Sequence, residues 1–160
     1  MRLRDLATGD VDALTKILNE PEVSKYMSYP DSVSKIVVED WLNSVTQNPN
    51  SILFIVEEEE KPIGCIRFER YGGKQYHVAK LRIWLSSSYH GRGLGKAALE
   101  EAIKYARKVG IERIEAEVIE NNTKAINLYK RMGFERHGLL KKRIKDNGDY
   151  FDVIVFGKMI

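Results

Sequence analysis

Leu81-Arg82-Ile83-Trp84-Leu85-Ser86-Ser87-Ser88-Tyr89-His90-Gly91-Arg92-Gly93-Leu94-Gly95-Lys96-Ala97-Ala98-Leu99 reads as an apolar strand that passes through a glycine loop into a helix. Gly91, Gly93 and Gly95 leave the loop backbone bare of side chains, so its N–H groups can converge where a helix presents its positive end. Such a loop suits a phosphate-bearing ligand, with Arg92 and Lys96 flanking the amides. A Walker loop is excluded, because Gly95-Lys96 would need a glycine where His90 stands and Ser or Thr where Ala97 stands. A dinucleotide fingerprint is excluded too: Gly91-Arg92-Gly93-Leu94-Gly95-Lys96 has its third glycine one residue too early.

Upstream of the loop the pattern is that of strands. Ile52-Leu53-Phe54-Ile55-Val56 is a dense apolar run, Glu57-Glu58-Glu59-Glu60-Lys61-Pro62 a solvated charged turn, and Ile63-Gly64-Cys65-Ile66-Arg67-Phe68 the return strand. Tyr71-Gly72-Gly73-Lys74-Gln75 forms a second turn into a strand over residues 78–85. Further upstream, residues 1–5 read as a short first strand that Thr8-Gly9-Asp10 breaks. Val11, Leu14, Ile17 and Leu18 mark a helix to about Asn19, and Pro21 opens a further turn. Tyr29-Pro30-Asp31-Ser32 interrupts the chain before a helix whose buried stripe is read as Ile36, Val37, Trp41 and Val45.

Downstream, Leu94, Ala98, Ala102, Tyr105, Ala106 and Val109 give a helix face that Gly110 terminates. Ile114, Ala116 and Val118 alternate as a strand with Glu115 and Glu117 on its opposite face. This strand-helix-strand unit predicts two parallel strands whose divergence leaves a cleft. Then comes Asn121-Asn122-Thr123-Lys124-Ala125-Ile126-Asn127-Leu128-Tyr129-Lys130-Arg131-Met132-Gly133-Phe134, in which Asn121 or Asn122 caps a helix, Ala125 permits a close approach and Gly133 stops the helix. Residues 139–145 and 150–158 form a closing hairpin, with Asn147-Gly148 as a type I′ turn.

The glycine loop His90-Gly91-Arg92-Gly93-Leu94-Gly95 resembles the acetyl-CoA loop of the GNAT superfamily of N-acetyltransferases, Gln/Arg-x-x-Gly-x-Gly/Ala, with His90 in place of the usual first residue. The superfamily's second pattern, Asn-x-x-Ala-x-x-Leu-Tyr-x-x-x-Gly-Phe, is met without a gap at Asn122, Ala125, Leu128, Tyr129, Gly133 and Phe134. Asn19 to Met27, Trp84-Leu85, residues 134–140 and Gly148 to Asp152 are similar to the branch containing ribosomal-protein N-terminal, spermidine and amino-sugar-nucleotide acetyltransferases. The fold implied is α/β (α+β), a mixed and mostly antiparallel central sheet with helices on both faces, in a single domain over residues 1–160.

The resemblance also implies the site. Acetyl-CoA is the donor, held by Ile83, Leu85, His90, Gly91, Arg92, Gly93, Leu94, Gly95, Lys96, Asn122, Ala125 and Tyr129. The backbone N–H of Leu85 is the oxyanion donor and Tyr129 the acid for the departing thiolate, a phenol of pKa about 10 facing a thiol near 8.5. The acceptor is an amine, either a protein N-terminus or a small molecule, with Tyr26, Tyr29 and Trp41 as candidate walls; packing is the alternative role for all three. Some members of the branch carry a glutamate where Lys80 stands, so the base is unassigned; Glu115 and Glu117 are placed to act through water, and plain surface-facing strand glutamates are the alternative reading of both. That lack leans towards an amine of low pKa. A polyamine or an amino sugar is the alternative acceptor, and an acetyl-CoA-binding regulatory module without turnover is the alternative of another class. A homodimer is left open.

Bulk properties set the outer bounds. The 160 residues fit one domain, and 43% hydrophobic with 31% charged residues describes an ordinary globular protein. A net charge of +3 favours a polyanionic ligand a little but falls short of a nucleic-acid binder, and Lys141, Lys142, Arg143 and Lys145 read as an exposed strand face. Cys65, the one cysteine, excludes an internal disulfide and a cysteine-rich metal site. The start of the chain is too polar for a signal sequence and no run is long enough to span a membrane, so the expectation is a cytoplasmic protein with neither a metal nor a membrane partner.

Overall fold

The computed structural model describes residues 1–30 and 32–160. Seven strands form one sheet in the order β1-β2-β3-β4-β5-β7-β6. They are β1 (Arg2–Arg4), β2 (Ser51–Glu58), β3 (Lys61–Arg70), β4 (Val78–Leu85), β5 (Arg113–Ile119), β6 (Glu135–Asp146) and β7 (Asp149–Met159). Every neighbouring pair is antiparallel except β4 and β5, which are joined by the crossover helix α4 (Leu94–Lys108). Helices α1 (Asp10–Leu18), α2 (Pro21–Ser24) and α3 (Lys35–Gln47) precede β2, and α5 (Thr123–Arg131) follows β5.

Strand alternation sends side chains to two cores. On one face Val56, Ile66, Phe68, Leu81, Ile114 and Phe156 pack with Ala98, Leu99 and Ala102 of α4 and with Tyr129 of α5. The alanines let α4 lie close to the sheet, as its sequence predicts. On the other face Ile55, Cys65 and Trp84 pack against Leu14, Val38 and Leu42. The α1–α3 face covers only the β1–β4 end of the sheet, so Lys80, Arg82 and Glu117 on that face lack a helical cover.

Two sequence expectations are corrected. The buried stripe of α3 is Val38, Leu42 and Val45, while Ile36 and Val37 are 69% and 52% exposed. Spacings of four and three residues put Val38, Leu42 and Val45 on one line, and a helix starting at Lys35 turns Ile36 and Val37 outward. The charged turn is also not solvated throughout. Glu57 is buried, with its carboxylate between the guanidinium groups of Arg2 and Arg4, and only Glu59 and Glu60 form the turn, both at positive φ. Arg4 also grips Asp10 at 2.7 Å, which ties β1 to the start of α1 and holds the Asp10 carboxyl below its usual range. Of the expected break at residues 29–32, Asp31 lies outside the described residues.

The hairpin of β6 and β7 turns at Asn147 and Gly148, both at positive φ, as a type I′ turn requires. β6 begins at Glu135, four residues before the expected start, and bulges between Leu140 and Ile144. Gly64 marks the tightest approach in the sheet. A Cβ there would run into the carbonyl oxygen of Trp84 and sit 2.9 Å from Leu85 Cα. Gly64→Ala is therefore expected to cost about 1–3 kcal/mol, as overpacking does. A denaturant melt checks this, and an unchanged midpoint would show that β3 and β4 can part there freely.

Candidate functional site

The site begins with hydrogen bonds that β4 does not make to β5. The two strands pair only at Val78↔Arg113, Ala79↔Ile114 and Lys80↔Glu115, and from Leu81 onward β4 has its partner on one side alone. In an antiparallel ladder, alternate residues turn their N–H and C=O towards the partner strand. The Ser86 N–H donates to the Ile63 carbonyl at 2.9 Å, which sets the phase: Trp84 and Arg82 face β3, and Ile83 and Leu85 direct their backbone groups into the gap. The expected divergence is thus present, with Leu85 N–H inside it.

Below the gap lies the glycine loop. Gly91 and Gly93 sit at φ 75° and 77°, and no atom would touch a Cβ at either, so backbone conformation alone explains these glycines. Gly93 is the N-cap of α4 without a side-chain cap, and the first amide bonded within the helix is that of Ala97, to Gly93 O at 3.1 Å. The amides of Leu94, Gly95 and Lys96 precede that bond and are the orphan donors of a helix N-terminus. At Gly95 space is the constraint: a Cβ would lie 3.2 Å from Leu85 Cδ1 and 3.7 Å from Leu128 Cδ2.

A cleft of about 390 Å³ runs from this loop to the gap. Of the residues expected to bind the donor, Ile83, Leu85, His90, Gly91, Gly93, Gly95, Lys96, Asn122 and Ala125 line it. Arg92 and Leu94 do not. The Arg92 guanidinium stacks over the Tyr89 ring at 5.1 Å and Leu94 packs against the core. Asn122, rather than Asn121, caps α5 by accepting from the Ala125 N–H at 3.2 Å. The sequence reading missed Lys124, Leu128 and Arg131, which line the cleft from one face of α5; their spacing of four and three residues was the available signal. Lys96, Lys124 and Arg131 make the cleft basic, fitting an anion.

His90 lies 2.9 Å by Nε2 from the Leu85 carbonyl, while its Nδ1 is buried without a partner. The imidazole therefore links the loop to the end of β4. A second tie comes from Glu20, just ahead of α2, whose carboxylate accepts from the Ser87 N–H at 2.7 Å. Burial raises the Glu20 pKa, but the bonds from Ser87 and Ser86 outweigh it and the group is held below its usual range.

A smaller cavity of about 140 Å³ opens on the other side of the gap. Ile83, Trp84, Asn122 and Ala125 line both spaces, so the two meet at the strand divergence. Tyr129 belongs to the smaller one. It is 4% exposed, with its ring against Phe134 and Phe156 at centroid distances of 5.1 and 5.9 Å. Burial drives its pKa well above 10, so the nearly matched phenol of the sequence reading is corrected to one held firmly neutral. Tyr26 and Tyr29 line this cavity as well, whereas Trp41 packs edge-on against Trp84 at 5.6 Å. Lys80 and Glu117 meet at 2.7 Å on its wall, while Glu115 is engaged by Arg113 and Tyr71 elsewhere. Among the described residues, no group of three or more His, Cys, Asp or Glu side chains could hold a metal ion, and no helix is long and apolar enough to cross a membrane.

Comparison with known proteins places the chain in a family. The profile of the acetyltransferase (GNAT) family matches residues 11–134, and the chain belongs to that family. It is 27% identical over 162 residues to the uncharacterized N-acetyltransferase p20 of Bacillus licheniformis, covering 98% of this chain and 90% of that protein. It is 26% identical over 160 residues to the L-amino acid N-acetyltransferase AaaT of Escherichia coli (strain K12), covering 98% and 96%. Its fold is that of the ribosomal-protein-alanine N-acetyltransferase from Brucella melitensis, at a TM-score of 0.88 and 22% identity, with both chains covered completely at 100%.

Gly93→Val, which forces a branched side chain into a left-handed backbone, is expected to weaken CoA binding at least tenfold by calorimetry. Unchanged affinity in the folded variant would remove the loop from the binding site.

Proposed function

We propose that residues 1–160 act as one acetyltransferase domain that passes the acetyl group of acetyl-CoA directly to a primary amine. The observation that carries this reading is the gap beside Ile83 and Leu85, which joins a basic, loop-floored cleft to a separate cavity containing Tyr129. Acetyl-CoA enters from the cleft, its diphosphate on the amides of residues 91–96 and its pantetheine arm along the free edge of β4. The acceptor enters from the smaller cavity.

Each demand of the chemistry has a residue to meet it. Attack by the amine on the thioester carbon places negative charge on the carbonyl oxygen, and the Leu85 N–H, left unpaired by β5, is a fixed donor for it. The thiolate leaves with a proton, or a hydrogen bond, donated by the Tyr129 hydroxyl, which desolvation keeps protonated through physiological pH. Glu117 is the carboxylate on the acceptor wall, and it takes up the ammonium proton directly or through water. His90 and Gly64 hold Leu85 in place.

The acceptor is a small amine. Lys80 and Arg82 stand with Glu117 on the cavity wall, an arrangement that repels the several cationic nitrogens of a polyamine. A peptide N-terminus, titrating near pH 7.7 to 8, needs less help from a base and is the second reading. Turnover separates this proposal from a regulatory module: acceptor-stimulated thiol release is expected, and saturable CoA binding without any release would favour the module.

Tyr129→Phe keeps the ring that packs on Phe134 and Phe156 and removes the hydroxyl. Steady-state kinetics should show kcat reduced about 100-fold, in the range of general acid catalysis, with acetyl-CoA affinity nearly unchanged. Equal turnover would take the tyrosine out of the mechanism.

A further inference from the structure

The acceptor cavity carries more positive charge than its own ion pairs neutralise. Arg67 and Arg82 are cross-strand partners on β3 and β4 with their side chains on the same face of the sheet. Arg67 is 11% exposed, bonds Glu69 at 3.0 Å and Ser51 at 3.2 Å, and leaves its Nε buried without a partner. Burial holds its pKa below the usual arginine value, and the charge of Arg82 adds to the effect. The other local cation, Lys80, is taken by Glu117 at 2.7 Å. The Arg82 side chain is exposed to the cavity and, among the described residues, its guanidinium makes neither a hydrogen bond nor an ion pair. A guanidinium in this state presents a planar fork of donors to the space in front of it.

The Tyr29 ring lines the same space, but its hydroxyl is buried away from it, near the Cys65 thiol of the core. Among the described residues, the cations Lys80 and Arg82 outnumber the one carboxylate, Glu117, on this wall. Arg82 lies three residues before Leu85, about 10 Å along the strand at 3.3 Å per residue, and its long side chain spans part of that distance. The anion that satisfies the Arg82 guanidinium is then only a few bonds from the attacking nitrogen. A cavity of about 140 Å³ suits a molecule of amino-acid size.

We infer that the acceptor is a free amino acid, its carboxylate bound by the guanidinium of Arg82 while its amine faces Glu117 and the gap beside Leu85. This inference rests on the direct-transfer reading above and narrows it to one acceptor class. In the reaction the nitrogen gains the acetyl carbon, the thioester C–S bond breaks, and the carboxylate stays intact as the anchor.

The test is thiol release from acetyl-CoA with free α-amino acids, the carboxamides of the same amino acids, spermidine and a short peptide with a free N-terminus. A carboxamide keeps the side chain and has the less basic amine, so chemistry alone favours it. With the carboxylate site in place, kcat/KM should favour the free acid by about 10-fold to 100-fold, the range of a charge-assisted hydrogen bond. Arg82→Gln should bring that ratio close to one through KM. A carboxamide, peptide or spermidine preferred by the wild-type protein, or a ratio unmoved in Arg82→Gln, would overturn the carboxylate site and leave acetyl transfer standing. No release with any amine would overturn the transfer reading and this inference with it.

Discussion

A strand that loses one neighbour halfway along its length must do something with the backbone groups left behind, because buried N–H and C=O groups are seldom left unpaired. β4 is such a strand. Pairing with β5 ends at Lys80, and Ile83 and Leu85 then point polar groups into a gap rather than a ladder. Those groups are the fixed point of the site. The cleft, the glycine loop and the acceptor cavity are arranged around the same few ångströms of unpaired edge, where an extended ligand can take the place of the missing strand.

Several contacts keep the gap from closing or drifting. Gly64 lets β3 crowd the end of β4 from the paired side, and Gly95 lets α4 approach Leu85 from below. His90 bonds the Leu85 carbonyl, which fixes the loop to the strand it follows. Glu20 reaches from the start of α2 to the Ser87 amide, so the first helices are tied to the same corner. The Trp84 indole, which donates to Met27 Sδ at 2.9 Å, makes a further link across the acceptor side. Preorganisation of this kind gives an oxyanion donor its value, since no reorientation is needed when charge develops.

Much of the fold was legible because its signals are local. The type I′ turn at Asn147-Gly148, the glycine loop, the slim first turn of α4 and an asparagine cap at residue 121 or 122 each follow from residue types at fixed spacing. The parallel pair and its divergence followed from the strand-helix-strand order. What the sequence hid depends on partners far along the chain. Glu57 looked like part of a solvated turn because Arg2 and Arg4, more than fifty residues away, are what bury it. The α3 stripe was misread because the helix phase is set by what it packs on, Leu14 and Ile55, rather than by its own apolar count. Tyr129 read as an ordinary phenol because its desolvation by the surrounding core is invisible in one dimension. Arg67 and Arg82 had no motif at all; only the register of β3 against β4 brings them together.

The two sides of the gap differ in electrostatics as well as shape. Lys96, Lys124 and Arg131 face one side and Lys80, Arg82 and Glu117 the other, so each substrate meets its own charge pattern before the reacting atoms meet. Residue-resolved amide hydrogen exchange tests most directly whether the unpaired edge of β4 is the point of contact between them. In the free protein Leu85 and Ile83 should exchange quickly while Trp84, bonded into β3, is slow; acetyl-CoA should slow Leu85 and Ile83 and leave Trp84 unchanged. Leu85 as protected as Trp84 without ligand, or indifferent to acetyl-CoA at saturation, would contradict the account.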